Sequence, residues 1–226
     1  MRKPLFCLFV VLTTSINLIA QNNESNSVLR NSNDSLSYFI GLDLGLNLSE
    51  NNLGTVNLQL MMKGIQDQFD KTPAADIIAA RQYIQNMLQA MAEANALVEK
   101  QAGLKFLEEN KKKPGIQTTT SGLQYKVITQ GTGIKPTATD MVEVHYHGTL
   151  VDGTVFDSSV ERGEKISFAL NQVIEGWTEG LQLMPVGSKY IFYVPENLAY
   201  GSQAMGVIKP YSTLIFEVEL FNVTKN

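Results

Sequence analysis

The spacing of apolar residues changes period once along the chain, near Pro114, and that change limits what each half can become. From Asp34 to about Lys112 the sequence is rich in Ala, Leu, Gln, Met and Asn, with Pro73 its single proline, and this half reads as helical. Beyond Gly122 the apolar residues alternate in short runs separated by turns, the period of half-buried strands. Between the two, Lys111 to Lys113, Pro114, Gly115 and the polar run Thr118 to Ser121 end the helical pattern and mark a boundary.

Within the helical half, Thr72 followed by Pro73 predicts an N-cap with proline at the first helical position. Further on, Ile84, Leu88, Met91, Asn95, Val98 and Ala102 recur at alternating steps of four and three. That spacing suits a seam meeting another helix, with Asn95 fixing its register, and equally a helix packed on its own domain. The segment Ile40 to Leu48 satisfies two periods. Leu42, Leu44, Leu46 and Leu48 alternate as in a strand, whereas Leu36, Ile40 and Leu44 keep a helical step. Val56, Leu60, Ile65 and Phe69 predict a second short helix.

The other half supplies several inward-facing rows. Leu123, Tyr125 and Val127 form one, and Val142, Val144, Tyr146, Gly148 and Leu150 another, opposite Glu143, His145, His147 and Thr149. Asp152-Gly153 predicts a hairpin turn. Further rows are Ile166, Phe168 and Leu170, then Tyr190, Phe192 and Val194, then Leu214, Phe216, Val218 and Leu220, with a helix-like stretch from Trp177 to Leu183. The predicted class is α+β, an antiparallel sheet with one short helix preceded by an all-α region.

At the N-terminus, Arg2 and Lys3 precede the apolar run Leu5 to Leu12, a polar segment and a stretch closing on Ala20. This order predicts a secretory signal peptide over residues 1–20. A run this short falls well below the roughly 20 residues that a membrane span needs, so a stable membrane anchor is not expected. The one cysteine, Cys7, falls in this leader, leaving no disulfide and no cysteine chemistry to the exported chain. A formal net charge of −4 gives no basic excess to draw the protein onto nucleic acid. The expected organisation is a signal peptide over 1–20, a helical region over 21–113 and a strand-rich domain over 114–226.

The usual catalytic sets are missing. There is no phosphate-binding Gly-Lys-Ser/Thr loop, no Gly-x-Ser-x-Gly elbow and no zinc-protease His-Glu pattern. His145 and His147, two apart on a strand beside Glu143, point one way, but without a fourth ligand they read as a solvated polar face and no metal is expected. What stands out is a set of large aromatics close to turns: Tyr146, Phe156, Trp177, Tyr200 and Phe216. Most aromatics at period-two spacing are core.

The order of motifs is more specific. Val144-His145-Tyr146-His147-Gly148-Thr149-Leu150, Asp152-Gly153-Thr154-Val155-Phe156-Asp157-Ser158-Ser159, Val173-Ile174-Glu175-Gly176-Trp177-Thr178-Glu179-Gly180, Leu198-Ala199-Tyr200-Gly201 and Ser212-Thr213-Leu214-Ile215-Phe216-Glu217-Val218-Glu219-Leu220 follow one another with matching gaps. Over about Gly122 to Val223 the chain closely resembles the FKBP-type peptidyl-prolyl isomerases. The helical half, with Tyr38-Phe39-Ile40-Gly41, Leu44-Gly45 and Phe106-Leu107-Glu108-Glu109-Asn110 ahead of Ser121-Gly122-Leu123-Gln124-Tyr125, resembles the dimerising domain of the Mip and FkpA subfamily.

The resemblance implies a five- or six-stranded sheet curled around a short helix, with a hydrophobic pocket between them that receives proline. Matched motif by motif, it makes Trp177 the pocket floor and Tyr146, Phe156, Val173, Ile174 and Phe216 its walls, with Val207 and Ile208 as further apolar lining. It gives Asp157 and Tyr200 polar contacts to the peptide, and Arg162 the task of holding Tyr146 and Asp157. No cofactor is implied. Implied partners are proline-containing unfolded or nascent exported proteins, a second copy of the chain through the helical region, and rapamycin or tacrolimus in the pocket. The sequence departs from the pattern at Lys209, where relatives usually carry the first of two prolines, at His147, and at Ile166, where some have an aromatic wall.

The expected activity is isomerisation of X-Pro bonds in exported proteins, in the periplasm or cell envelope of a Gram-negative-type bacterium. The alternative is a non-catalytic dimeric chaperone that uses the same pocket to hold unfolded clients. The joint presence of Tyr146, Phe156, Asp157, Trp177 and Tyr200 favours catalysis. A structural envelope protein finds no support in repeats or an anchor.

Overall fold

The structure, a computed structural model, describes residues 29–51 and 53–226, so the predicted leader with Cys7 and the cleavage site after Ala20 lies outside the described residues. Contacts divide the chain into two compact units, with the division between Ala75 and Asp76 in the sequence.

In the first unit, helix α1 spans Ser32–Glu50 and helix α2 spans Leu58–Phe69. Both begin at an asparagine. The Asn31 side chain accepts the N–H groups of Asn33 and Asp34, and that of Asn57 accepts the N–H of Leu60, which satisfies donors that a helix leaves open at its start. The ambiguous segment Ile40 to Leu48 is therefore helical. A helix satisfies its own backbone polar groups, whereas a lone strand there needs a partner. Neither helix buries a side chain among the described residues, and Leu36, Phe39, Ile40, Leu42 and Leu46 are all more than half exposed.

The second unit opens with helix α3, Ile77–Asn110, whose 34 residues span about 51 Å. Its N-cap is Asp76, which accepts from the N–H groups of Ile78 and Ala79. The N-cap expected at Thr72 and Pro73 is not formed. The Thr72 N–H donates back to the Asp67 carbonyl at 2.9 Å, and both residues sit in the connection, because the Asp76 carboxylate makes the two capping bonds a helix start requires. The helix ends at Asn110, just before the lysines and Pro114.

After α3 come seven strands, all paired antiparallel: β1 (Ile116–Thr118), β2 (Gln124–Thr129), β3 (Met141–Leu150), β4 (Val155–Ser158), β5 (Ile166–Ala169), β6 (Lys189–Val194) and β7 (Leu214–Thr224). Their order is β1-β2-β6-β7-β3-β4, with β5 also on β3. Strand β3 pairs β5 through Met141 to Val144 and β4 through His147 to Thr149, so one edge of the sheet is built from two short pieces. The one-turn helix α4 (Ser159–Arg162) separates them. This split and the three-residue β1 account for seven strands where the family resemblance implies five or six.

The predicted rows face inward. Val142, Val144, Tyr146, Gly148 and Leu150 are all buried, and Glu143, His145, His147 and Thr149 lie on the half-buried outer face. The Asp152-Gly153 turn closes β3 onto β4, with the Leu150 N–H donating to the Thr154 carbonyl at 2.8 Å. Helix α5 (Glu175–Leu181) lays Gly176, Trp177, Gly180 and Leu181 into the concave side of the sheet. There the core of Leu123, Val144, Leu170, Leu181, Met184, Phe192, Leu214 and Val218 is closed to solvent. Helix and strand geometry together leave one end of this core open, next to Trp177.

Candidate active site

At that open end the curl of the sheet and α5 enclose a cleft of about 880 Å³. Trp177, brought in by α5 and only 5% exposed, is its base. Three rings meet it: Tyr146 from β3 edge-on at 5.2 Å between centroids, Phe216 from β7 at 5.0 Å and 76°, and Phe168 from β5 at 5.4 Å. Phe156 from β4 then packs edge-on against Phe216 at 5.3 Å. Five rings from four strands and a helix thus form one connected aromatic surface, in which the Tyr146–Trp177, Trp177–Phe216 and Phe156–Phe216 contacts take the preferred edge-to-face arrangement of aromatic quadrupoles and Phe168 is tilted at 41° to Trp177.

Local sequence explains each placement. Tyr146 and Phe216 are diagonal neighbours, because Tyr146 of β3 pairs with Val218 of β7 and Phe216 pairs with Gly148, and both occupy inward positions. Phe156 lies flat against β3 because residue 148 is glycine. A Cβ there would fall 2.7 Å from the Phe156 ring, too close for any real contact. Val173 and Ile174 lie at the turn into α5, while Tyr200, Val207 and Ile208 come from the loop between β6 and β7. In that loop Met205 and Ile208 exchange backbone hydrogen bonds at 2.9 Å each.

One charged group, Asp157, breaks the largely apolar lining. The Asp157 carboxylate accepts hydrogen bonds from the Tyr146 hydroxyl and from Arg162 Nη1, and Arg162 Nη2 donates to the same Tyr146 hydroxyl at 3.0 Å. Burial pushes the Asp157 carboxyl upward, but those two hydrogen bonds and the guanidinium charge outweigh it and hold it below the ordinary value of 3.8. Burial, and then the bond to Asp157, push the Tyr146 phenol up, so it remains a donor. The Tyr200 phenol is also pushed up, by burial first and then by the Asp157 charge. The array is a fixed carboxylate that accepts one side-chain hydrogen bond on each oxygen and keeps acceptor capacity beyond them, set in a wall of rings. Trp177 Nε1 is buried without a hydrogen-bond partner.

Of the residues singled out from the sequence, Tyr146, Phe156, Asp157, Val173, Ile174, Trp177, Tyr200, Val207, Ile208 and Phe216 all line this cleft, and Arg162 stands behind it on Tyr146 and Asp157. Ile166, where some relatives carry an aromatic wall residue, lines the cleft as well. Phe168, Gln172 and Met205 also line the cleft and were not singled out as site residues. Phe168 was visible only as one member of an alternating row, a signal that cannot separate a core ring from a pocket ring at the end of a sheet. The two histidines do not converge on a shared point: His145 Nδ1 lies 3.0 Å from Ser159 Oγ, and His147 Nδ1 3.0 Å from Ser158 Oγ. Among the described residues no group of three or more His, Cys, Asp or Glu is gathered in a way that suits a metal ion.

Comparison with known proteins gives this geometry a family. Residues 132–221 match the model of the FKBP-type peptidyl-prolyl cis-trans isomerases, and residues 33–127 match that of the domain amino terminal to FKBP-type peptidyl-prolyl isomerase. The FKBP-type 22 kDa peptidyl-prolyl cis-trans isomerase of Escherichia coli is 47% identical over 192 residues, covering 83% of this chain and 93% of that one. The chain belongs to the FKBP-type peptidyl-prolyl cis-trans isomerases. Outer membrane protein MIP of Legionella longbeachae is 44% identical over 204 residues, 85% of this chain and 86% of the relative. Among solved structures, FkpA from Escherichia coli superposes with a TM-score of 0.72 at 36% identity, covering 86% of this chain and 98% of that one. The aromatic cleft lies wholly within the FKBP domain, and the likeness to FkpA extends through the helical region that precedes it.

Proposed function

We propose that this FKBP-type isomerase catalyses X-Pro rotation in exported proteins, with the Trp177 cleft as its proline site. The supporting observation is the continuous aromatic surface of Tyr146, Phe156, Phe168, Trp177 and Phe216 with one prearranged carboxylate, Asp157, at its edge. A prolyl ring seats on the Trp177 indole, between Tyr146, Phe156 and Phe216, with Val173, Ile174, Val207 and Ile208 covering the flanks. Asp157 and Tyr200 supply the polar edge that orients the peptide, and Arg162 keeps Asp157 and Tyr146 in place.

The chemistry required is modest in bonds and large in energy. Rotation about an X-Pro bond breaks no covalent bond, yet it crosses a barrier of ~18–20 kcal/mol because amide resonance is lost at the twisted state. The planar amide is the charge-separated form, so an apolar enclosure disfavours it relative to the twisted one. No nucleophile or bound cofactor enters this scheme. Uncatalysed exchange takes tens of seconds or more at room temperature, slow enough to limit folding.

Export is supported by the leader pattern over residues 1–20 and by the name of the Legionella relative. No helix among the described residues is long and apolar enough to cross a membrane. Assembly as a homodimer through the helical region is supported by the exposed apolar side chains of α1 and of α3, where Ile84 and Val98 are 56% and 66% exposed. The decisive experiment is refolding of a proline-limited client with and without rapamycin. Acceleration that rapamycin abolishes supports the reading. No acceleration, with aggregation of a proline-free client still suppressed, supports a non-catalytic chaperone instead.

A further inference from the structure

The loop that carries Tyr200, Val207 and Ile208 is held at its base by a residue from outside the strand-rich domain. This loop leaves β6 at Val194 and returns to β7 at Leu214. It is drawn closed by two backbone bonds, from the Gly201 N–H to the Glu196 carbonyl at 2.9 Å and from the Tyr211 N–H to the Gly201 carbonyl at 2.7 Å. Tyr211 has a φ of 64°, a left-handed conformation that a residue with a Cβ adopts at a cost and keeps only when its surroundings impose it.

Helix α3 provides those surroundings. Lys100 Nζ lies 3.2 Å from Glu196 Oε1, where the loop begins, and 4.8 Å from the centroid of the Tyr211 ring, where it ends. One ammonium therefore spans both ends of the loop. Next to it, Ser212 Oγ donates to Glu99 Oε1 at 3.2 Å. One turn further on, the helix approaches Thr213 so closely that residue 103 has room only for glycine, since a Cβ there would overlap the threonine side chain. Tyr200 sits between the Glu196 turn and Gly201, so it moves with the base of the loop.

We propose that Lys100 is a positioning residue for the proline site: by joining Glu196 to Tyr211 it fixes the loop that presents Tyr200, Val207 and Ile208. The proposal rests on the isomerase reading of the cleft. Its energetic logic is local. The Lys100 and Glu196 side chains are 40% and 20% exposed, and an ion pair that wet adds little to global stability. Across the two ends of a loop, however, it raises the cost of local opening, which sets how well the loop is ordered. The helix before the isomerase domain thereby takes part in shaping the substrate site.

The test uses the full chain and two readouts, kcat/KM on a short proline peptide and native-state hydrogen exchange at the Gly201 and Tyr211 amides. In Lys100→Met, kcat/KM is expected to fall, and exchange at both amides to rise, by about fivefold each, the scale of an exposed cation–π contact combined with a half-exposed ion pair. Sheet amides of β3 and β7 keep their protection. Lys100→Arg, which retains the charge and stacks on an aromatic face, restores both readouts. Glu196→Gln cuts the ion pair from the loop side and shifts both in the same direction as Lys100→Met. The proposal is overturned if loop exchange is unchanged in Lys100→Met, if exchange rises but activity stays at the parent level, if the arginine variant is no better than the methionine one, or if protection is lost across the whole sheet. A parent chain without isomerase activity would instead count against the proline-site reading, and loop exchange would still decide whether Lys100 holds the loop.

Discussion

Phe156 meets Phe216 edge-on and faces the cleft with its other side, so its ring contributes to the pocket more than to the core. Phe156→Ala is expected to lower kcat/KM by about tenfold to a hundredfold, the rate equivalent of the roughly 1.5–3 kcal/mol that burying such a ring is worth. The thermal midpoint is expected to move little, and a peptide-isomerisation assay beside a melting curve checks both. Asp157 carries a pH prediction. Its folded carboxyl lies below the ordinary value of 3.8, so its stabilising contribution is complete above that value and is lost as pH falls through the lower, folded one. Activity is expected to stay level from mildly acidic to mildly alkaline solution and to decline only in strong acid. In a pH profile Asp157→Asn has lower activity throughout and lacks that acid limb. At this scale the sequence was informative wherever a residue belonged to an ordered motif, as Tyr146, Phe156, Asp157, Trp177 and Phe216 do. It was silent on Phe168 and Met205. The first is indistinguishable from core at period two, and the second reaches the cleft only through a backbone pairing inside a loop.

Helix α3 carries two stripes, and only one was legible. The seam Ile84, Leu88, Met91, Asn95, Val98 and Ala102 was found from its steps of four and three. The stripe that packs on the sheet, Glu99, Gly103, Phe106 and Asn110, has the same steps displaced by one residue at its start, but its members are acidic, small, aromatic and amide, so no apolar periodicity marks it. Its contacts are specific ones. Phe106 packs on Tyr193 at 6.0 Å, the buried Asn110 Nδ2 donates to Gln124 Oε1 at 3.0 Å, and Gln124 Nε2 donates to the Leu107 carbonyl at 2.9 Å. Gln124 thus ties the end of α3 to β2. Gln124→Leu leaves the buried Asn110 amide donor without its partner, while the Leu107 carbonyl keeps its bond from the Lys111 N–H at 3.0 Å, and a loss of about 1–3 kcal/mol is expected in urea denaturation. A loss confined to the exposed-pair range of a few tenths would show that the amide link is dispensable. The polar boundary read at Lys111 to Ser121 marks the change from helix to strand, whereas contacts place α3 with the sheet from Asp76 onward.

For the whole molecule, the proposed pairing of two chains through the helical region has a direct test. Light scattering on residues 21–226 is expected to give twice the chain mass, and residues 99–226, which keep the sheet-facing stripe of α3, a single mass. A monomeric longer chain would defeat the dimer, and a dimeric shorter one would move the interface into the isomerase domain. The fold class was legible because the two periods occupy separate halves of the chain. The docking of α3 was not, because it rests on single polar and small residues rather than on a pattern. Trp177 joins these scales in one further way, since it is the chain's single tryptophan and lies at the base of the cleft against Tyr146, Phe168 and Phe216. Indole fluorescence from the intact protein therefore originates at the pocket floor and nowhere else. If proline seats on that ring as proposed, it is expected to change the only emitter of its kind in the chain, and titration of unlabelled protein would read occupancy against a helical region that contributes no indole signal.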